Sequence, residues 1–182
     1  MGKVSLTLGM QITRDRAESK LKISQAIFVK SLLERFGMSE CNPVYSPGTD
    51  PELSVTQPDE TLLYSEEIKF YQAIVGSVMC LGTCSRSDII YAVNQLTRAK
   101  SKPARVHITA AKHLLRYLKG IPDLRIEYTT GNFRLKEYCD ASWGANPDNR
   151  RWTSGYLFFL SGELVSFKLT LQKLTAQSTL ES

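Results

Sequence analysis

The chain has 182 residues, 42% of them hydrophobic and 23% charged, with a net charge of +5; this is an ordinary globular composition, long enough for one domain or two small ones. No apolar run reaches the roughly 18 residues that a membrane helix needs, and Met1-Gly2-Lys3-Val4-Ser5 lacks a signal-peptide core, so membrane insertion and secretion are excluded as expectations. The four cysteines, Cys41, Cys80, Cys84 and Cys139, read as reduced intracellular thiols.

Val4, Leu6, Leu8, Met10 and Ile12 alternate with polar or small residues, the period of a half-buried strand. Residues 13–19 are turn-like, and Leu21 and Ile23 alternate again, which predicts a hairpin. Ser24 is placed to cap a helix from Gln25 to Phe36, with Val29, Leu32, Leu33 and Phe36 on one face and Gly37 as its stop. Residues 38–63 contain Pro43, Pro47, Pro51 and Pro58 and predict a long irregular connection. Ile68, Tyr71, Val75 and Val78 then recur at helical spacing. Cys80 and Cys84 fall four apart on that helix, a spacing at which two thiols can share a metal. No His or third Cys lies close in sequence, so buried small side chains are the preferred reading. Ser87-Asp88 is placed to cap the next helix, with Ile89, Val93 and Leu96 inward.

A third helix is predicted from Ser101-Lys102-Pro103 to Lys119, ended by Gly120 and Pro122. Ala104, Ile108, Ala111, Leu115 and Leu118 form its apolar stripe. Arg105, Lys112, Arg116 and Lys119 each lie one residue, about 100° of helix, further on, so they form a neighbouring cationic stripe. Residues 98–125 hold eight cations against Asp123 alone. Such a stretch can neutralise phosphates, and a solvated helix face is the plain alternative. His107 and His113, six apart, do not share a face and read as surface or helix-end residues.

Beyond Pro122 the pattern is β. Ile126 and Tyr128 mark one strand and Arg134 to Asp140 another. Trp152 to Leu160 and Leu164 to Leu169 flank the tight-turn signal Ser161-Gly162-Glu163. At Thr175 to Ser182 a cap-rich run predicts the start of a helix. A carboxylate on a strand, then a hairpin, then an acidic residue opening a helix is the order in which a two-metal nuclease site assembles its ligands.

Several stretches resemble the Pol polyprotein of copia-type LTR retrotransposons, in order and over essentially the whole chain. Leu8-Gly9-Met10-Gln11-Ile12 resembles the Phe-Leu-Gly-Met-x-Ile strand downstream of the polymerase site. Ser24-Gln25 and residues 32–38 are similar to the helix that follows it. Tyr71-Gln72-Ala73-Ile74-Val75-Gly76-Ser77-Val78-Met79 resembles Tyr-Arg-x-x-Val-Gly-Ser-Leu-Met. Arg86-Ser87-Asp88-Ile89-Ile90-Tyr91-Ala92-Val93 resembles Arg-Pro-Asp-Ile-x-Tyr-Ala-Val, with Ser87 in place of Pro. The run His107 to Gly120 resembles His-x-x-Ala-Ala-Lys-x-x-Leu-Arg-Tyr-Leu-Lys-Gly nearly position for position. Tyr138-Cys139-Asp140-Ala141-Ser142-Trp143 resembles Tyr-Ser-Asp-Ala-Asp-Trp, with Ser142 in place of the second Asp. Residues 150–156 resemble Arg-Arg-Ser-Thr-Ser-Gly-Tyr.

The resemblance implies an α+β fold. Residues 1–120 would be the C-terminal part of a reverse transcriptase, comprising a primer-grip hairpin and helical thumb and connection segments. Residues 121–182 would be an incomplete ribonuclease H-like mixed sheet. The family's activity is RNA-directed DNA synthesis and hydrolysis of RNA in RNA–DNA hybrids. Nothing here matches the polymerase Asp pair, which lies upstream in the family, so the chain is expected not to polymerise.

Asp140 matches the first metal-binding Asp of a Mg2+ site. Ala176 to Ser182 is similar to the run continuing Ser-Thr-x-Glu-Ala-Glu-Tyr, whose second Glu binds metal. In the aligned register Glu181 matches the first Glu, and the ligand position falls one residue past Ser182. A one-residue shift makes Glu181 itself the ligand. The implied partners are an RNA–DNA hybrid or primer–template duplex, held by Arg105, Lys112, Arg116 and Lys119, and the remainder of the Pol polyprotein. The implied location is intracellular, in cytoplasm, virus-like particle or nucleus. The expected state is a fragment that is not catalytic as this chain; a non-catalytic nucleic-acid-binding fragment and a degenerate gene relic are the alternatives.

Overall fold

A computed structural model of the chain describes residues 5–7, 9–48, 53–130, 134–142 and 153–171. Strands β1 (Leu6–Thr7), β2 (Met10–Asp15), β3 (Lys20–Ser24) and β4 (Ile126–Thr129) form an antiparallel sheet in the order β1-β2-β3-β4. The alternation from Val4 to Ile12 predicts one strand, but the chain reverses between Thr7 and Met10, with Gly9 at φ +76°. A period-two pattern does not register a turn when glycine supplies the left-handed residue. At the other end of β2, Asp15 Oδ1 accepts the Ala17 and Glu18 N–H groups at 3.0 and 3.1 Å and closes the hairpin.

Helix α1 (Ala26–Arg35) starts where Ser24 Oγ accepts the Ala26 N–H at 3.2 Å. It stops at Gly37, φ +66°, with the Met38 N–H donating to Leu33 O at 2.8 Å; only a residue free of Cβ strain takes this stop cheaply. Helices α2 (Ser65–Cys84), α3 (Ile90–Arg98) and α4 (Arg105–Gly120) pack with α1 around one core. Leu32, Tyr71, Val78, Leu96, Leu114 and Leu118 are among its buried members. The apolar stripe of α4 is wider than the sequence predicts, because His107, Ala110, Leu114 and Tyr117 are buried as well.

Three polar nodes are buried in this helical unit. Arg86, 1% exposed, donates from Nε and Nη2 to the two carboxylate oxygens of Asp88 at 2.9 Å each, and from Nη1 to Ile121 O at 3.0 Å. The Tyr117 hydroxyl donates to Asp88 Oδ2 at 3.0 Å. Asp88 therefore does not cap α3 as expected; a 3-10 turn, Ser87–Ile89, leads into that helix instead. In the second node Ser85 Oγ donates to Gln25 Oε1 at 2.6 Å. The third is His107, expected at the surface and found fully buried. Its Nδ1 accepts the Ala104 N–H at 2.9 Å, which leaves Nε2 as the protonated nitrogen, and Nε2 faces Ser54 O at 2.9 Å.

Through such bonds the proline-rich connection is tied along α4. Asn42 O meets Arg116, Ser46 O meets His113, Ser54 O meets His107, and Leu62 bridges to Ala104, so the connection runs from the end of α4 back to its start.

The second sheet holds β5 (Leu135–Ser142), β6 (Thr153–Leu160) and β7 (Glu163–Leu171) in the order β5-β6-β7. Ser161 and Gly162, at φ +56° and +89°, make the tight turn read from the sequence. All strand pairs among the described residues are antiparallel, where a mixed sheet is expected. The carbonyls of β7 accept from the first unit: Tyr128 OH reaches Leu164 O at 2.9 Å and Asn94 Nδ2 reaches Leu169 O at 3.2 Å. The class is α+β, and the pairing of β4 with β3 carries the first sheet across the expected division at residue 121. The helix start expected at Thr175 to Ser182 lies outside the described residues.

Candidate nucleic-acid interface

Helix α4 presents its cations as one row. At 100° per residue Arg105, Lys112, Arg116 and Lys119 fall within a sector of about 60°, and they span about 21 Å along the axis. The buried residues of α4 occupy the opposite side, so packing fixes which way the row faces. Arg105 and Lys112 are exposed, and Arg116 and Lys119 half-buried.

Local partners grade the four. Arg105 Nη1 lies 3.6 Å from Glu67 Oε1, and Arg116 Nε donates to Asn42 O at 2.7 Å. Lys119 lines a cleft of about 570 Å3 that also holds Lys30, Glu34, Glu40 and Asp123, so acidic groups offset it. Lys112 has no ion pair among the described residues, and its charge is the most available. Sequence reasoning missed a separate, cationic cleft of about 710 Å3, lined by Arg14, Arg16, Lys20, Tyr128, Thr129 and Thr130 among others. Asp15, whose Oδ1 accepts the hairpin-turn N–H groups, also lines it, and Lys20 pairs with Glu18 at 3.1 Å, so Arg14 and Arg16 carry most of its positive charge. Two of its walls come from β2–β3 and β4, over 100 residues apart in sequence, so no local pattern could reveal it.

Asp140 lies exposed on β5, paired in register with Gly155. A Cβ at Gly155 would come within 3.0 Å of Leu169 Cδ1, which gives that motif glycine a packing role. Glu181 lies outside the described residues. A carboxylate is a fitting donor for Mg2+, which takes oxygen ligands. Among the described residues, however, no group of three His, Cys, Asp or Glu could hold a metal ion. They therefore fit one ligand of a two-metal centre and not the set. Cys80 and Cys84, expected to be buried, are exposed, as is Cys139, and Cys41 is half-buried.

Over its whole length the chain is 35% identical to the retrovirus-related Pol polyprotein from transposon TNT 1-94 of Nicotiana tabacum. Over 94% of its length it is 34% identical to that from transposon RE1 of Arabidopsis thaliana. The chain belongs to the retrovirus-related Pol polyproteins of transposons. This Pol segment spans 14% and 12% of those two relatives. It is also 29% identical, over its whole length, to an uncharacterized mitochondrial protein of Arabidopsis thaliana, AtMg00810, of which it covers 73%. No protein-family model and no solved structure matches the Pol segment. No helix among its described residues is long and apolar enough to cross a membrane.

Proposed function

We propose that this Pol segment comes from a copia-type element, joins the end of a reverse transcriptase to the start of a ribonuclease H-like domain, and holds an RNA–DNA hybrid or primer–template by its backbone. The cationic row of α4 carries this reading. Four cations in one sector of a rigid helix suit a phosphate backbone, and their contacts need no base sequence. The Arg14, Arg16 and Lys20 cleft adds a second cationic surface, with hydroxyl donors from Thr129 and Thr130. The antiparallel β5-β6-β7 order, with Asp140 on the first strand, supports the ribonuclease H-like assignment, in which Asp140 would be one Mg2+ ligand. Among the described residues one carboxylate stands at this position, and a single carboxylate does not position two divalent ions, so the activity proposed here is binding and not cleavage.

Anisotropy titrations of a labelled hybrid between 50 and 200 mM salt test the reading. Affinity is expected to fall steeply, with a log–log slope of about −0.9 per phosphate neutralised for a B-form duplex. Joint replacement of Arg105, Lys112 and Arg116 by Gln should flatten that slope by about two units or more, and Lys112→Gln should have the largest single effect. Salt-independent binding would overturn the proposal. With Mg2+ no hybrid-dependent cleavage is expected; specific cleavage abolished by Asp140→Asn would refute the non-catalytic reading.

The match covering 73% of AtMg00810 favours a second reading, a stand-alone fragment or relic. Flanking nucleotide sequence separates the two. A frame open through a Tyr-Val-Asp-Asp-like motif upstream supports the polyprotein, and early stop codons support the relic.

A further inference from the structure

Two tyrosine side chains stand in solvent beside the cationic row of α4. Tyr45 is fully exposed and Tyr64 is 75% exposed, the two most exposed large apolar side chains among the described residues. One such ring on a surface needs no explanation; two along one row of cations call for one. The backbone around each is tied to α4 or to its partners, while the side chain is left in solvent. On either side of Tyr45, Asn42 O accepts from Arg116 Nε at 2.7 Å and Ser46 O meets His113 Nε2 at 2.9 Å. Leu63, just before Tyr64, donates its N–H to Pro103 O at 3.0 Å, and the Tyr64 N–H donates to Glu67 Oε2 at 3.1 Å. The other oxygen of that carboxylate lies 3.6 Å from Arg105 Nη1. Tyr64 therefore stands at the Arg105 end of the row. Tyr45 stands by the stretch from His113 to Arg116, about 12–17 Å further along the axis at 1.5 Å per residue. Lys112, the most available charge of the row, falls between these two positions.

We propose that the row binds a single-stranded segment of nucleic acid, with Tyr45 and Tyr64 as platforms on which two of its bases stack. The inference rests on the phosphate-binding reading of α4 and adds the unpaired strand adjoining the duplex as its ligand. The cations follow the phosphates, and a tyrosine ring accepts any base, because every base offers a π face. In a duplex those faces are covered by neighbouring base pairs, so rings on its flank have nothing to stack on. A stacked strand advances about 3.4 Å per nucleotide, so the two rings take bases a few nucleotides apart and not neighbours.

Anisotropy titrations of the full chain compare three labelled probes: oligo(dT) of about twelve nucleotides, an abasic strand of the same length, and the RNA–DNA hybrid. Tyr45→Ala and Tyr64→Ala should each weaken oligo(dT) binding about 5- to 100-fold, with the salt slope unchanged. Neither should alter binding of the abasic strand or the hybrid. Tyr45→Phe and Tyr64→Phe, which keep the ring, should retain the affinity for oligo(dT). Full affinity for oligo(dT) in either alanine variant overturns the inference. So does an equal loss for the abasic strand, which would report lost backbone contacts and not lost stacking. Salt-dependent binding of the hybrid with none of oligo(dT) overturns the single-strand site and leaves the phosphate reading of α4 standing. Salt-independent binding of every probe brings down both.

Discussion

Arg86 and Tyr71 show how single residues hold this fold. Arg86 has its charge matched by Asp88 and its third nitrogen bonded to Ile121 O, so every guanidinium nitrogen has a partner although the group is buried. Arg86→Met would leave the Asp88 carboxylate, 22% exposed, without its cationic partner and with only the Tyr117 hydroxyl. The expected loss is about 3–5 kcal/mol in urea unfolding, with partial recovery in Arg86→Met/Asp88→Leu. Tyr71, fully buried, donates to Leu96 O at 2.6 Å, and burial raises its hydroxyl above the usual value of 10.0. The folded chain keeps that proton where the unfolded chain loses it. The stabilisation is therefore complete below about pH 10 and is lost as pH rises through the folded value. Tyr71→Phe should cost about 1 kcal/mol at neutral pH and should flatten the fall in stability above about pH 10, measured by denaturant midpoints across that range. Tyr117, raised by burial and then by Asp88, should keep part of the slope. The motif containing Arg86 and Asp88 was visible in the sequence. Its physical role was not, because a two-residue spacing says nothing about a tyrosine 29 positions on that completes the node.

At the scale of elements, α4 was the most legible part: its stripe and its end near Gly120 were readable, while its start falls at Arg105, after the expected Ser101-Lys102-Pro103. Its buried histidine was not legible: residue 107 lies beside the apolar stripe read from the sequence and was expected at the surface, and its burial depends on a carbonyl 53 residues earlier. His107→Leu should leave the Ala104 N–H without its acceptor and the connection without its central tie. About 1–3 kcal/mol of stability should be lost, and limited proteolysis should cut faster within residues 42–58 than within α4. Equal protection of that connection in the variant would argue against its being held by α4. Residues 38–63 were readable as irregular from their prolines, while their course along α4 rests on backbone carbonyls, which carry no sequence signal.

For the whole molecule, composition and element order gave the α+β class, and the β texture beyond Pro122 was plain. The grouping of strands was not, since alternation in Ile126–Thr129 does not say which sheet the strand joins. The second sheet meets the first unit through carbonyls of β7, so its docking depends on the donors Tyr128 and Asn94. The Tyr128 hydroxyl, raised by burial and then by Glu163, stays neutral and able to donate at physiological pH. Tyr128→Phe with Asn94→Ala should loosen β7 from α3 and β4 while the four helices hold. Hydrogen exchange should then accelerate in β5–β7 and stay slow in α2 and α4. Uniform acceleration would mean that the two sheets unfold as one unit.

The pairing of β3 with β4 also sets an order of events on the ribosome. Lys20–Ser24 emerges about a hundred residues before its neighbour Ile126–Thr129, an interval of roughly 5–20 s at ordinary elongation rates. Throughout it, one side of β3 is a bare edge, open to pairing with any other nascent chain. Lys20 and Lys22 sit on that edge as the charges that discourage such pairing. When β4 arrives, Lys22 comes to lie 3.6 Å from Glu127, so the guard of the unfinished sheet becomes an ion pair of the finished one.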